Sequence, residues 1–169
     1  MCIRDRYIHL PWCTCKCPYC DFNSHEGFTE SLQQPYIDAL LADLDSQQAW
    51  WRDRPIESIF IGGGTPSLFA GRWLGTLLEG VSNRVTLSRH VEITLESNPG
   101  SAESTRFAEY RAAGVNRLSI GVQSFDNRAL QALGRIHSGN EARRALDMVA
   151  TAGFQRWNID LMHGLPGPV

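Results

Sequence analysis

A strand-like run, a turn of glycine or polar residues and a helical repeat recur along this chain at intervals of about 30 residues. Tyr7 to Leu10 is β-prone and stops at Pro11. Ser58 to Ile61 stops at Gly62-Gly63-Gly64-Thr65-Pro66, and Leu74, Leu77, Leu78 and Val81 follow at i, i+3, i+4 and i+7. Val91 to Leu95 ends in Glu96-Ser97-Asn98-Pro99-Gly100, and a helix carrying Phe107 and Tyr110 closes at Gly114. Arg117 to Gln123 forms a fourth strand; one helix opened by Asp126 stops at Gly134, and another opened by Asn140 stops at Gly153. Trp157 to Met162 is a fifth strand. The first helix is expected from Pro35, with Tyr36, Ile37, Leu40, Leu41 and Leu44 on one face, to near Trp51.

Strands that alternate with helices predict an α/β fold with a parallel sheet, because parallel neighbours need crossover connections. In such folds the site lies at the C-terminal ends of the strands. The chemistry-bearing residues gather there: Cys13 to Cys20, Gly62 to Pro66, Glu96 to Pro99, Gln123 and Ser124, Asp160 and His163. Periodicity alone leaves an open sheet and an incomplete barrel equally possible. The chain stops at Leu165-Pro166-Gly167-Pro168-Val169 with no helix after the fifth strand, which predicts a truncated protein. Met1 to Arg6 is charged where a sheet needs apolar residues, so residues 1–6 are expected to be a leader, foreign or of uncertain origin, and residues 7–169 a core domain incomplete at its C-terminus.

All five cysteines fall within the first twenty residues, and Cys13, Cys17 and Cys20 have the spacing C-x-x-x-C-x-x-C. Clustered thiols without an export signal argue for metal or redox chemistry over a disulfide framework. A four-iron cubane with three cysteine ligands keeps one iron open to a chelating substrate. A structural zinc site, completed by Cys15, His9 or His25, and inert buried thiols are the alternatives. The net charge of −2 and pI near 6.2 supply no basic field for nucleic acid. No stretch reaches the length of a membrane span, so a cytoplasmic location is expected.

The residues around this loop resemble a known family. C-x-x-x-C-x-Tyr-C after a first strand is similar to the cluster motif of radical S-adenosylmethionine (SAM) enzymes. The stretches YIHLPWC, CPYCDFNSH, FIGGGTPS, ESNPG, GVNRLSIGVQSF, LGRIH and NIDLMHGLPG resemble the oxygen-independent coproporphyrinogen III oxidase-like group, and within it the HemW-type haem chaperones. The resemblance implies a partial, TIM-like (β/α)6 radical SAM barrel, here ending after about the fifth strand. It implies a [4Fe-4S] cluster on Cys13, Cys17 and Cys20, with Cys15 outside the set, and reductive cleavage of SAM to methionine and a 5′-deoxyadenosyl radical.

It also implies roles for single residues. Tyr19 matches a position that packs near the adenine, and Tyr7 another cofactor-contacting position. Gly63, Gly64 and Thr65 lie in a turn where the backbone can approach the methionyl amine closely. Glu96 matches a cofactor-contacting acid, Gln123 and Asp160 the partners of the ribose hydroxyls, and Arg135 the partner of the methionyl carboxylate. His137 and His163 receive no role. Phe22 stands where porphyrinogen-oxidising members carry a fourth cysteine, which favours the haem chaperone branch. That branch implies haem or porphyrin as cargo, haem-acceptor proteins and an electron donor as partners. Coproporphyrinogen III dehydrogenase and a zinc-stabilised binding module are the competing functions.

Overall fold

The computed structural model describes residues 5–50, 54–100 and 105–165. Residues 1–4, Trp51 and Pro166 to Val169, which enter the expectations about the leader, the first helix and the chain end, lie outside them. Five strands, β1 (Asp5–Leu10), β2 (Ile56–Gly63), β3 (Leu87–Ser97), β4 (Arg117–Gln123) and β5 (Arg156–Leu161), form one sheet in sequence order. Every pairing is parallel. The helices are α1 (Gln33–Ser46), α2 (Gly71–Ser82), α3 (Phe107–Ala112), α4 (Asn127–Ala132) and α5 (Gly139–Thr151). None of them is long and apolar enough to cross a membrane.

Side chains alternate across a strand, and this sheet separates them sharply. Ile8, Leu10, Ile59, Ile61, Ile93, Leu95, Leu118, Ile120 and Val122 join the core with Ile37 of α1, Leu74, Leu77, Leu78 and Val81 of α2, and Ala142, Ala145 and Val149 of α5. Residues one step along, among them Thr94, Glu96, Arg117, Ser119, Asn158 and Asp160, lie on the opposite face. The apolar stripe of α2 therefore does what its spacing predicts: it covers the sheet.

Several boundaries depart from the expectations. β1 starts at Asp5, with Asp5 and Arg6 paired to Ser58 and Ile59, so part of the expected leader is sheet. A hydrogen bond from the Ser58 hydroxyl to the Asp5 carboxylate gives that charge a partner. α1 stops at Ser46 and a 3-10 turn, Gln48–Trp50, follows. α5 begins one residue before Asn140 because Ser138 caps it: the Ser138 Oγ accepts from Glu141 N–H while the Glu141 carboxylate accepts from Ser138 N–H, a capping box. Gly114, Gly134 and Gly153 end their helices with positive φ of 109°, 70° and 80°, as helix-stopping glycines do.

Candidate functional site

The cysteine loop is tied down at its base before it presents any thiol. Cys13 N–H donates to His25 O at 2.8 Å and His25 N–H to Pro11 O at 2.7 Å, so the loop leaves and returns side by side. Trp12 packs edge-on to Tyr36 with ring centroids 4.6 Å apart, and Phe28 and Phe69 complete an aromatic knot beneath it. Across the loop, Lys16 Nζ donates to the carbonyls of Phe22 and Ser24, at 3.1 and 3.4 Å, while its N–H donates to Glu26. Cys17 to Cys20 is a tight turn closed by Cys20 N–H to Cys17 O at 3.0 Å, with Pro18 in its second position.

The glycine turn after β2 supplies the floor. Gly64 N–H donates to Leu10 O at 2.8 Å and Thr65 N–H to Trp12 O at 2.7 Å. A Cβ on Gly64 would lie 2.5 Å from Trp12 O, which is why this position needs glycine. Gly63, at φ 119°, donates to Glu96 Oε2 at 3.1 Å. These three amides are thus committed within the protein, a structural use that the turn's sequence did not reveal.

Over this floor opens a cavity of about 510 Å3, the size range of small-molecule sites. Cys13, Cys17, Cys20, Tyr19, Gly64, Thr65, Glu96, Gln123, Arg135 and Asp160 all line it, so residues up to 147 positions apart in sequence converge there. Cys15 and Phe22 reach it as well. Tyr7 and Gly63 do not: the Tyr7 ring is 58% exposed and stacks on Phe60. Its hydroxyl donates to His9 Nδ1 at 3.2 Å, and His9 Nε2–H donates to Asn23 O at 2.8 Å. His163 is exposed and outside the lining, and buried His137 gives Nε2–H to Val122 O at 3.1 Å.

Arg135 is the cation among the cavity-lining side chains. Its guanidinium donates to Asn98 Oδ1 at 2.6 Å, Gly121 O at 2.7 Å and the Cys17 sulfur at 3.6 Å, and its Nε is buried with no partner among the described residues. Asp21, Glu96 and Asp160 are the carboxylates of the same lining. Burial pushes the Glu96 carboxyl up, the Gly63 N–H holds it down, and Asp160 raises it again. Burial likewise raises the Tyr19 phenol, against the pull of Arg135. Gln123 holds φ 66°, the one left-handed non-glycine among the described residues, at a register shift between β4 and β5. Gly121 next to it leaves room: a Cβ there would lie 3.0 Å from the Gln123 amide.

Sequence reasoning placed Asn98 in the cluster after β3 without a role and missed Ser119. Asn98 donates to Thr65 Oγ1 at 3.1 Å while accepting from Arg135, and so links the turn after β2 to the loop before α5. Ser119 lines the cavity beside Asp160. The signal for Ser119 was the alternation Arg117-x-Ser119-x-Gly121-x-Gln123, which places four residues on one face.

The donor set suits a cluster and a zwitterionic sulfonium. A cubane takes one thiolate on each of three irons, and Cys13, Cys17 and Cys20 bring three thiols to one cavity. Glu96 and Asp160 suit a cationic ligand, and the unpartnered Arg135 Nε suits a carboxylate.

A parallel βα sheet with thiols after its first strand and polar groups at every later strand end defines a cofactor-binding portion of a (β/α) barrel. A family model described as the Radical SAM superfamily matches residues 7–168, and the chain belongs to that superfamily. Membership implies a [4Fe-4S] cluster and SAM. Heme chaperone HemW of Escherichia coli (strain K12) is 53% identical over 160 residues, which cover 95% of this chain and 42% of that protein. Heme chaperone HemW of Haemophilus influenzae is 48% identical over 164 residues, covering 95% of this chain and 43% of that protein. Among solved structures, coproporphyrinogen III oxidase (HemN) from Escherichia coli, described as a radical SAM enzyme, superposes with a TM-score of 0.85 at 27% identity, over 97% of this chain and 38% of that one. The chain therefore spans less than half the length of the curated relatives it matches.

Proposed function

We propose that this protein is a radical SAM haem chaperone, which binds haem and passes it to acceptor proteins. The observation that carries the reading is the 53% identity to a protein named as a haem chaperone; Phe22, at the cavity where a fourth cysteine would mark the porphyrinogen oxidases, supports it. In this reading Cys13, Cys17 and Cys20 hold the cluster, and an external protein donates electrons to it. Cluster and SAM together supply reductive sulfonium cleavage. Arg135 holds the methionyl carboxylate through its Nε, Glu96, held by Gly63 N–H, and the turn at Gly64 and Thr65 meet the amine, and Gln123 and Asp160 hold the ribose. Tyr19 packs on the adenine. Tyr7 acts from its position beside His9 and Phe60.

Anaerobic reconstitution followed by iron and sulfide analysis tests the cluster: about four irons per chain are expected, with most of them lost in Cys17→Ala. Unchanged iron in that variant overturns the assignment, and a colourless protein holding one zinc favours the binding-module reading. The TM-score of 0.85 to a coproporphyrinogen III oxidase keeps a second reading in play. With the protein extended to the length of its relatives, haem titration should give a stable complex and coproporphyrinogen III should remain unconsumed. Turnover of that porphyrinogen would reverse the choice.

A further inference from the structure

Asp160 does not stand alone on β5. Its Oδ1 accepts from Asn158 Nδ2 at 3.0 Å and its Oδ2 from Ser119 Oγ at 2.9 Å. Asn158 Nδ2 also donates to Ser119 Oγ at 2.9 Å, closing a ring of three side chains across β4 and β5. Arg117 Nη2 donates to Asn158 Oδ1 at 2.6 Å, and a guanidinium can only donate. That contact fixes which way the amide faces: carbonyl towards Arg117, NH2 towards Ser119 and Asp160. Arg117 is itself braced by Thr94 Oγ1 at 3.4 Å and Glu92 at 3.6 Å, and Glu92 also pairs with Arg156 at 3.3 Å. The parallel register, Arg117 with Arg156, Ser119 with Asn158 and Gly121 with Asp160, keeps the whole ladder on one face.

We infer that Arg117, Asn158 and Ser119 are positioning residues that orient the Asp160 carboxylate to select a ligand with a vicinal ribose diol. This rests on the reading that Asp160 meets the ribose of SAM. A carboxylate has about four lone-pair sites; the ladder occupies one on each oxygen, so both oxygens keep one for an incoming hydroxyl. The order of donors runs one way, from the arginine through the amide and hydroxyl to the acid, so the carboxylate has a single settled orientation before ligand arrives. A site that offers fixed acceptors to hydroxyls rejects analogues without them, because the acceptors are then left unpaired.

Calorimetric titration of the reconstituted protein with S-adenosylhomocysteine and with its 2′,3′-dideoxyribose analogue tests this. Asn158→Ala should weaken S-adenosylhomocysteine about tenfold and the dideoxy analogue by less than about twofold, and should cost nothing further in an Asp160→Asn background. Ser119→Ala should repeat the pattern at about threefold, which keeps the test sharp if Asn158→Ala folds poorly. Equal losses for both ligands, or an undiminished loss in the Asp160→Asn background, would overturn the positioning role. A wild-type protein that binds neither ligand would instead overturn the cofactor reading beneath it.

Discussion

On the helix side of the sheet, Ile59, Ile61, Leu95, Leu118 and Ile120 are 0–1% exposed, whereas one residue further along the same strands stand Phe60, Glu96, Ser119 and Gly121, three of which line the cavity. Both faces are built by one backbone and one register. The difference lies in what each face meets. The helix side meets α1, α2 and α5 and gains by excluding water; the other side carries hydrogen-bonded polar chains, where a closed barrel is commonly filled with branched apolar residues. Stability and ligand recognition are thus separated by a single step along each strand.

The largest effect should come from the helix side. Leu95→Ala should cost about 2–5 kcal/mol in denaturant unfolding, yet leave cofactor affinity per folded molecule unchanged; lost affinity with intact stability would break the separation. Acid is the next test, through His137, whose imidazole burial and the nearby Arg135 hold down to about 4. Its Nδ1 has no partner among the described residues. The unfolded chain binds this proton below about pH 6.5 and the folded one only near 4, so stability should fall as pH drops through that window, by at most about 3 kcal/mol. His137→Gln should flatten that part of a pH series of unfolding free energies; an unaltered slope would assign it to carboxylates instead. Tyr110→Phe removes a buried bond to Ser67 O of 2.6 Å and should cost about 1–2 kcal/mol. Smallest in stability is Glu96→Gln on the polar face: within about 1 kcal/mol by unfolding, but about tenfold weaker for SAM in equilibrium dialysis. A large loss of stability there would show that the polar face also holds the fold.

Much of this could be read in the residues. The five strands, the covering stripe of α2 and the glycine stops at Gly114, Gly134 and Gly153 follow from period and backbone preference. The convergence of Cys13, Glu96, Gln123 and Asp160 followed from placing each at a strand end, whereas Arg135 was named only by the family resemblance. Two things were hidden. Polar residues within a strand read as solvent-facing, so Asn158 and Ser119 looked unremarkable until the register put them beside Asp160. Amide commitments were invisible too: nothing in Gly63-Gly64-Thr65 tells that its N–H groups are taken by Glu96, Leu10 and Trp12 and not left for a ligand. The place of Asp5 in the sheet was hidden as well, because its partner Ser58 is far off in sequence.

The bonds from Gly64 and Thr65 back to Leu10 and Trp12 also set an order of assembly. A chain growing from its N-terminus displays all its thiols long before the floor beneath them has been synthesised. Only once β2 and the turn after it are free to pair with β1 can the loop settle into its final shape. Before that pairing the thiol loop is an unshaped tether, so the final spacing of its sulfur atoms belongs after the first βα unit has closed.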